Sequence, residues 1–242
     1  MKVRNFISPR KMIIGFGASG EVGAEVVALG AKKVLLVTDK FLHEKGPVNG
    51  IKKNIEGRGI EVFVFDGTVP DPTVKNVEDA MQFCASKGCD SVVSVGGGSP
   101  TDVGKSVALL ATNGGKIQDY MGFDKVRERP LPQIAVNTTA GTGSECSQTT
   151  VITDAERGIK MFAKSELIVP SVAIEDPELT ISLPPKITAH TGLDALTHAI
   201  ESYVSTEAFE VTEVLSLAAI EKIAKYLRRA WSDGGTARRD TT

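Results

Sequence analysis

The sequence predicts an α/β protein, with an N-terminal Rossmann-like domain built on a mainly parallel sheet and a partial all-α domain after it. Three features of the 242 residues indicate this fold class. Short apolar runs alternate with amphipathic stretches, which is the pattern of βαβ units. Glycine-rich loops follow several of the apolar runs. From about residue 184 onward, only helical spacing of apolar residues remains.

The first elements follow this alternation closely. Residues 11–17 (KMIIGFG) predict a strand that runs into a glycine turn, and residues 20–29 carry apolar side chains at helical spacing. Residues 33–38 (KVLLVT) form a continuous apolar run, which is typical of a strand buried on both faces. A helical stretch at 47–56 and a strand at 61–65 complete the second unit of the pattern.

The same pattern continues through the rest of the predicted sheet. Residues 74–87 are amphipathic at helical spacing, and residues 91–95 (SVVSV) predict a fourth buried strand. The glycine-rich segment GGGSPTD then leads into a helix at 103–112. The remaining predicted elements are strands at 133–136 and 171–174 and a hairpin that joins 151–152 to 160–163.

The composition changes after Asp176-Pro177, where strand patterns end. We therefore predict two domains, an α/β domain at 1–178 and a partial helical domain at 179–242. Residues 211–226 are strongly amphipathic, so their apolar face needs a partner in the fold or in another subunit. After Trp231 the sequence turns polar and loses its apolar periodicity, as in a chain truncated within its second domain.

Composition and charge exclude several classes of protein. A formal net charge of −2 gives no reason to expect nucleic acid as a partner. The sequence contains no run of 18 apolar residues, so it predicts no membrane span. The first residues lack the apolar core of a signal peptide. The three cysteines are an odd number without zinc-ligand spacing, so we expect reduced thiols and a cytoplasmic protein.

Two glycine loops compete for a dinucleotide phosphate. Residues 15–20 match G-x-G-x-x-G between a predicted strand and helix, with Asp39 about 20 residues further on. Residues 96–102 (GGGSPTD) follow the buried strand at 91–95, so their backbone N–H groups and the helix start can cradle a pyrophosphate. A third loop, 138–145 (TTAGTGSE), is rich in hydroxyls that suit a ribose or nicotinamide.

Four long motifs resemble the iron-containing (group III) alcohol dehydrogenase family. They are GGGSPTDVGK (96–105), TTAGTGSE (138–145), VPSVAIEDPELTISLPP (169–185) and TGLDALTHAIESYVS (191–205). They occur in order over nearly the whole chain. The resemblance implies that the GGGS loop holds the pyrophosphate, and it makes the glycines at 15–20 structural.

The family resemblance also implies the roles of individual residues. Gly97, Gly98 and Ser99 are expected to cradle the pyrophosphate of NAD, with Asp39 at the adenosine ribose. Asp102 belongs to the same loop and is included among the cofactor-binding candidates. A carboxylate at position 39 binds a ribose 2′-OH but repels a 2′-phosphate, so NAD is expected over NADP. The residues expected on the nicotinamide side are Thr138, Thr139, Thr142, Thr149, Val151, Lys160 and Leu179.

The predicted helix at 186–203 places Asp194 and His198 four residues apart on one face. This pair suits a divalent metal such as iron, zinc or manganese, and it also suits a surface pair without metal. By resemblance, Asp194 and His198 match the family's first two metal ligands, with Fe²⁺ expected before Zn²⁺. The family's two later histidine ligands have no counterpart here, and His190 is a poor substitute because His190 and His198 lie about 12 Å apart along a straight helix.

Two functions therefore remain open from the sequence. The first is an NAD-dependent alcohol dehydrogenase that transfers hydride between a small primary alcohol or diol and nicotinamide, with a metal on the alcohol oxygen. The alternative is a truncated homologue that binds NAD, holds no complete metal site and has little or no activity. A homodimer is expected by resemblance, with small alcohols and aldehydes as ligands and neither nucleic acid nor membrane as partner.

Overall fold

The protein is described by a computed structural model that covers residues 3–233. The chain divides into two compact units. The sheet unit comprises Ile7–Thr138 and Ser144–Asp176, and the helical unit comprises the N-terminal residues up to Phe6, Thr139–Gly143 and the described residues from Pro177 onward. No single cut in the sequence separates the two units, and the predicted boundary at 178/179 stays a prediction.

The sheet unit contains nine strands in two sheets. The strands are β1 (Lys11–Ile14), β2 (Lys33–Val37), β3 (Glu61–Phe65), β4 (Ser91–Gly96), β5 (Gly122–Phe123), β6 (Gln133–Asn137), β7 (Thr149–Asp154), β8 (Ile159–Lys164) and β9 (Val172–Glu175). The main sheet has the order β1-β9-β6-β4-β2-β3, and all of its strand pairs are parallel. A smaller sheet has the order β5-β8-β7, with β7 and β8 forming an antiparallel hairpin. The predicted fold class is confirmed.

Five helices connect the strands of the sheet unit. They are α1 (Val22–Ala28), α2 (Lys40–Lys45), α3 (Val48–Glu56), α4 (Val74–Lys87) and α5 (Gly98–Asn113). α2 was not predicted, and α5 begins five residues before the predicted start, because the GGGSPTD segment forms its first turns. Crossovers of this kind cover both faces of a parallel sheet, and every residue of β4 is buried accordingly.

Apolar side chains from three elements form the centre of the core. Leu35 and Val37 of β2 contact Cys84 of α4 and Val103 and Val107 of α5, all of them nearly inaccessible to water. Burying such side chains supplies most of the driving force for folding. α5 lies very close to the sheet, since a Cβ added at its Gly104 would lie 2.8 Å from Nε2 of Gln133.

The helical unit is built on α6 (Pro185–Val204) and α7 (Glu210–Ser232). Gly192 of α6 allows the two helices to approach closely, because a Cβ there would lie 2.2 Å from Leu227 of α7. Several apolar side chains of α7 are exposed, among them Val214 and Leu215 at 62% and 53%. Within residues 3–233, no helix is long and apolar enough to cross a membrane. The polar sequence predicted as a truncated ending lies mostly at 234–242, outside the described residues.

Candidate functional site

The order of the strands creates a crevice at the carboxyl edge of the main sheet. After β2 the chain moves to β3 on one side, whereas β4 lies on the other side of β2. Neighbouring strands whose connections leave in opposite directions form a topological switch point, where open α/β sheets bind ligands. Asp39 follows β2, and Gly97, Gly98 and Ser99 follow β4. The fold therefore brings these predicted cofactor residues to one crevice.

The glycine loop turns sharply at the end of β4. Gly96 has φ of 152°, and a Cβ there would lie 2.4 Å from Cγ of Pro100, so only glycine fits. Gly97 is the N-cap of α5, and its position provides no side-chain cap. The first backbone N–H groups of a helix have no partners within the helix. A 16-residue helix that starts at Gly98 thus offers N–H donors and a positive dipole end to an anion such as a pyrophosphate.

Asp39 has a structural task as well as its predicted one. It is the N-cap of α2, and its Oδ1 accepts a hydrogen bond of 2.9 Å from the backbone N–H of Leu42. This cap explains why the short helix α2 forms directly after the strand. The carboxylate still brings a negative charge to the crevice, as a ribose-binding residue would. Its contact with a ribose remains a prediction.

Asp102 connects the glycine loop's helix to the hydroxyl-rich loop and to strand β7 after it. Its Oδ1 accepts from the hydroxyl of Ser144 at 2.6 Å, and its Oδ2 accepts from the backbone N–H of Val151 at 3.2 Å. Burial raises the pKa of this carboxyl, while the nearby Lys105 opposes the shift. Both oxygens are engaged within the chain, so the structure gives Asp102 a role in holding the site. Its predicted contact with the cofactor is untested.

Lys105 is buried beneath the same site, where sequence reasoning assigned it no role. Its Nζ lies 2.8 Å from the carbonyl of Thr149, 2.9 Å from the carbonyl of Ser147 and 3.2 Å from the hydroxyl of Ser144. Burial lowers its pKa to about 8, although Asp102 and Glu145 favour the charged form. The signal in the sequence was a single lysine in a helix made mostly of small and apolar residues, which are the residue types that are usually buried. Lys105 and Asp102 hold two of the four family motifs together.

The residues predicted for the nicotinamide side are divided between the two units. In the sheet unit, Thr138 is buried and its N–H donates to the carbonyl of Gly96 at 3.1 Å. Thr149 and Val151 lie on β7, and Val151 is 38% exposed. Lys160 on β8 pairs with Asp71 at 2.6 Å, and both side chains are largely exposed.

The other three predicted residues belong to the helical unit. Thr139 and Thr142 lie in the segment Thr139–Gly143, and Leu179 ends a short 3-10 helix at Pro177–Leu179. Gly141 in that segment lies against α6, because a Cβ there would be 2.6 Å from Cβ of Thr191. The roles of these residues toward nicotinamide stay predictions.

The carboxyl groups of Glu145 and Glu175 lie close together at the carboxyl edge of the central strands. Glu175 at the end of β9 accepts from the Asn137 amide at 3.0 Å and is hydrogen-bonded to Glu145. Burial, followed by the charge of Glu145, raises the pKa of Glu175 to about 7. Glu145, Cys146 and Glu175 place one ligand atom each within 4.8 Å of one another. Carboxylate and thiolate are donors that divalent metals accept, so this group is a second arrangement that could hold an ion. Sequence reasoning missed it because its members lie about 30 residues apart.

The predicted metal ligands lie on α6 in the helical unit. Nε2 of His198 is 3.6 Å from Oδ1 of Asp194, and both side chains are about half exposed. This separation is compatible with one divalent ion bonded to both atoms at about 2.1 Å. Imidazole with carboxylate is also a donor set that iron and zinc accept. In residues 3–233, no third histidine, cysteine or acidic side chain joins them in a ligand cluster, and this includes the exposed His190.

Comparisons with known proteins cover nearly the whole chain. A family model described as iron-containing alcohol dehydrogenase matches residues 9–177, and one for the C-terminal domain of that family matches residues 188–242. The NAD-dependent methanol dehydrogenase of Bacillus methanolicus is 44% identical over 230 residues, which is 95% of this chain and 60% of that protein.

Solved structures give the same result. A 1,3-propanediol oxidoreductase superposes with a TM-score of 0.95 at 40% identity, over 98% of this chain and 62% of that one. A sulfoacetaldehyde reductase from Bifidobacterium kashiwanohense in complex with NAD⁺ gives 0.91 at 34% identity, over 98% and 63%. The chain therefore spans about 60% of the length of the relatives that it matches.

Proposed function

The chain belongs to the iron-containing alcohol dehydrogenase family, and we propose that it binds NAD and takes part in hydride transfer between a small primary alcohol or diol and nicotinamide. The names of the relatives support this substrate class, since they include a methanol dehydrogenase and a 1,3-propanediol oxidoreductase. The relatives' activities belong to longer proteins, so the activity of this chain is a proposal.

The observation that carries the proposal is the crevice between β2 and β4. It combines the open N-terminus of α5, which suits a pyrophosphate, with the carboxylate of Asp39 on the neighbouring strand. We propose that Gly97, Gly98 and Ser99 bind the pyrophosphate and that Asp39 binds the adenosine ribose. The charge of Asp39 would then favour NAD over NADP. A relative solved with NAD⁺ supports the same cofactor.

We propose that Asp194 and His198 hold a divalent metal, with iron as the first candidate and zinc as the second. When bound, NAD supplies the hydride acceptor and the metal supplies a Lewis acid for the alcohol oxygen. The chain's own residues determine where the reacting groups are held. Lys105 and Asp102 fix the segment that carries Thr149 and Val151 against α5, and such fixed positions are what near-attack geometry requires.

The alternative function is NAD binding without turnover. One observation favours it, because the described residues supply only two ligands at Asp194 and His198. Two ligands bind metal less tightly than the three or four of typical protein sites. The cytoplasmic location and the homodimer are also proposals. The free thiols of Cys84, Cys89 and Cys146 support a reducing compartment, and the exposed apolar side chains of α7 support self-association.

The test is metal content together with NADH formation. The purified chain is supplied with Fe²⁺ or Zn²⁺ and assayed with methanol, ethanol, 1-propanol and 1,3-propanediol. The proposal predicts bound metal and NADH absorbance, both lost in Asp194→Asn and His198→Asn and kept in Glu201→Gln, an exposed control on the same helix. NAD binding without metal or turnover would select the alternative. The absence of NAD binding would contradict both.

A further inference from the structure

The end of α4 brings two cysteines together through its backbone geometry. Gly88 takes the left-handed conformation with φ of 63°, and its N–H donates to the carbonyl of Ala85 at 3.1 Å. The N–H of Cys89 donates to the carbonyl of Cys84 at 3.2 Å. This pair of bonds is a Schellman motif, which brings the side chains five residues apart at the helix end into contact. Here those two side chains are thiols.

The two thiols contact each other in the structure. Cys84 is buried in the core between β2, α4 and α5, and Cys89 is partly exposed and packs against the same cluster. The interaction between the two side chains lowers the pKa of Cys89 and raises that of Cys84. Around Cys89, Lys33 favours its thiolate, whereas burial, Asp90 and Glu61 oppose it. Cys89 is the partly exposed member of the pair, so an oxidant in solution reaches its sulfur first.

We propose that Cys84 and Cys89 are a reversible dithiol–disulfide pair, a modification site separate from the cofactor crevice. With hydrogen peroxide as the oxidant, the Cys89 thiolate attacks one peroxide oxygen and becomes a sulfenic acid, while the other oxygen leaves as water after protonation. The Cys84 sulfur then displaces the hydroxyl group from Cys89, and the proton of Cys84 leaves with it as a second water. Two thiols and one peroxide thus give one disulfide and two waters.

The position of the pair determines what oxidation does. Cys89 precedes β4 by two residues, at the amino edge of the sheet, while the glycine loop follows β4 at the carboxyl edge. Asp90 ties this edge to β2, since its carboxylate accepts from the backbone N–H of Lys32 at 2.9 Å and of Lys33 at 3.1 Å. The disulfide would close a short ring across the end of α4. We therefore expect oxidation to stabilise this corner of the sheet and to leave NAD affinity unchanged.

Trypsin provides a direct test because Lys87 lies between the two cysteines. In the reduced chain, cleavage after Lys87 separates peptide 76–87 from peptide 88–105. The full chain is treated with hydrogen peroxide, blocked with an alkylating agent and digested without reductant. The proposal predicts that these two peptides stay joined, with a mass two hydrogen atoms below the sum of the separate peptides. Dithiothreitol should then reverse both changes.

Two variants make the result specific. Cys89→Ser should abolish the joined peptides, and Cys146→Ser should keep them. The partly exposed Cys89 is the safer site to change if Cys84→Ser fails to fold. The proposal is overturned if peroxide gives Cys89 extra oxygen atoms without joining the peptides, or if the disulfide formed includes Cys146.

Discussion

The buried carboxyl group of Glu175 makes the stability of this protein depend on pH in a direction opposite to that of most acidic side chains. In the folded chain, the pKa of Glu175 rises from 4.5 to about 7, mainly because burial penalises its charge. Between these values the folded state holds a proton that the unfolded chain releases. Stability from this group is therefore fully present below pH 4.5 and is lost as the pH rises through 7.

The size of the effect follows from the shift. One pKa unit corresponds to about 1.4 kcal/mol, so the shift of Glu175 corresponds to at most about 3 kcal/mol between pH 5 and pH 8. Glu175→Gln replaces the protonated carboxyl by a neutral group of the same shape. Its amide can still accept from Asn137 and donate to Glu145.

Urea unfolding at several pH values measures the effect. We expect Glu175→Gln and the wild type to be nearly equal at pH 5, and the variant to be more stable by up to about 3 kcal/mol at pH 8. Glu44→Gln, at an exposed position on α2, serves as the control and should follow the wild type at every pH. Parallel curves for Glu175→Gln and the wild type would refute the reasoning.

Two further substitutions test the packing around the site. Lys105→Met keeps the shape of the buried side chain but removes the hydrogen bonds that Nζ donates to Ser144, Ser147 and Thr149, so we expect a loss of about 3 kcal/mol in urea unfolding. Lys75→Met, at an exposed position, is the control and should lower the free energy of unfolding by less than about 0.5 kcal/mol. Equal losses in the two variants would contradict a stabilising role for the Lys105 hydrogen bonds. Gly104→Ala places a methyl 2.8 Å from the Gln133 amide, so thermal unfolding should show a loss of about 1–3 kcal/mol, and an unchanged midpoint would contradict this close approach.

The sheet could be predicted because its central strands are simple in sequence. β2 is a continuous apolar run after its first residue, and β4 is a run of valines interrupted by one small serine; such runs are typical of strands buried on both faces. The start of α5 was predicted too late, because glycine and proline are poor helix formers in general. In the first turn, however, Pro100 loses no hydrogen bond, since the N–H that it lacks has no partner there.

Other features of the site could not be predicted, because they depend on contacts between residues that are far apart in the sequence. Lys105 pairs with groups about 40 residues away, and Glu145 meets Glu175 only because β6 and β9 are neighbours in the sheet. The helix α2 is short and buries no residue fully, so it lacks a periodic signal. Its N-cap Asp39 was the available sign, and it was assigned to the ribose alone. An aspartate at a strand end can serve both tasks.

Binding of NAD and NADP to the full chain tests the central claim most directly. Calorimetric titration of the wild type should show NAD binding, with NADP weaker by at least about tenfold, or 1.4 kcal/mol. Asp39→Ser removes the negative charge but keeps a side chain that can cap α2, so it should lose this preference while the fold remains. Equal affinities of the wild type for both cofactors, or an unchanged preference in Asp39→Ser, would contradict the assignment of the crevice between β2 and β4.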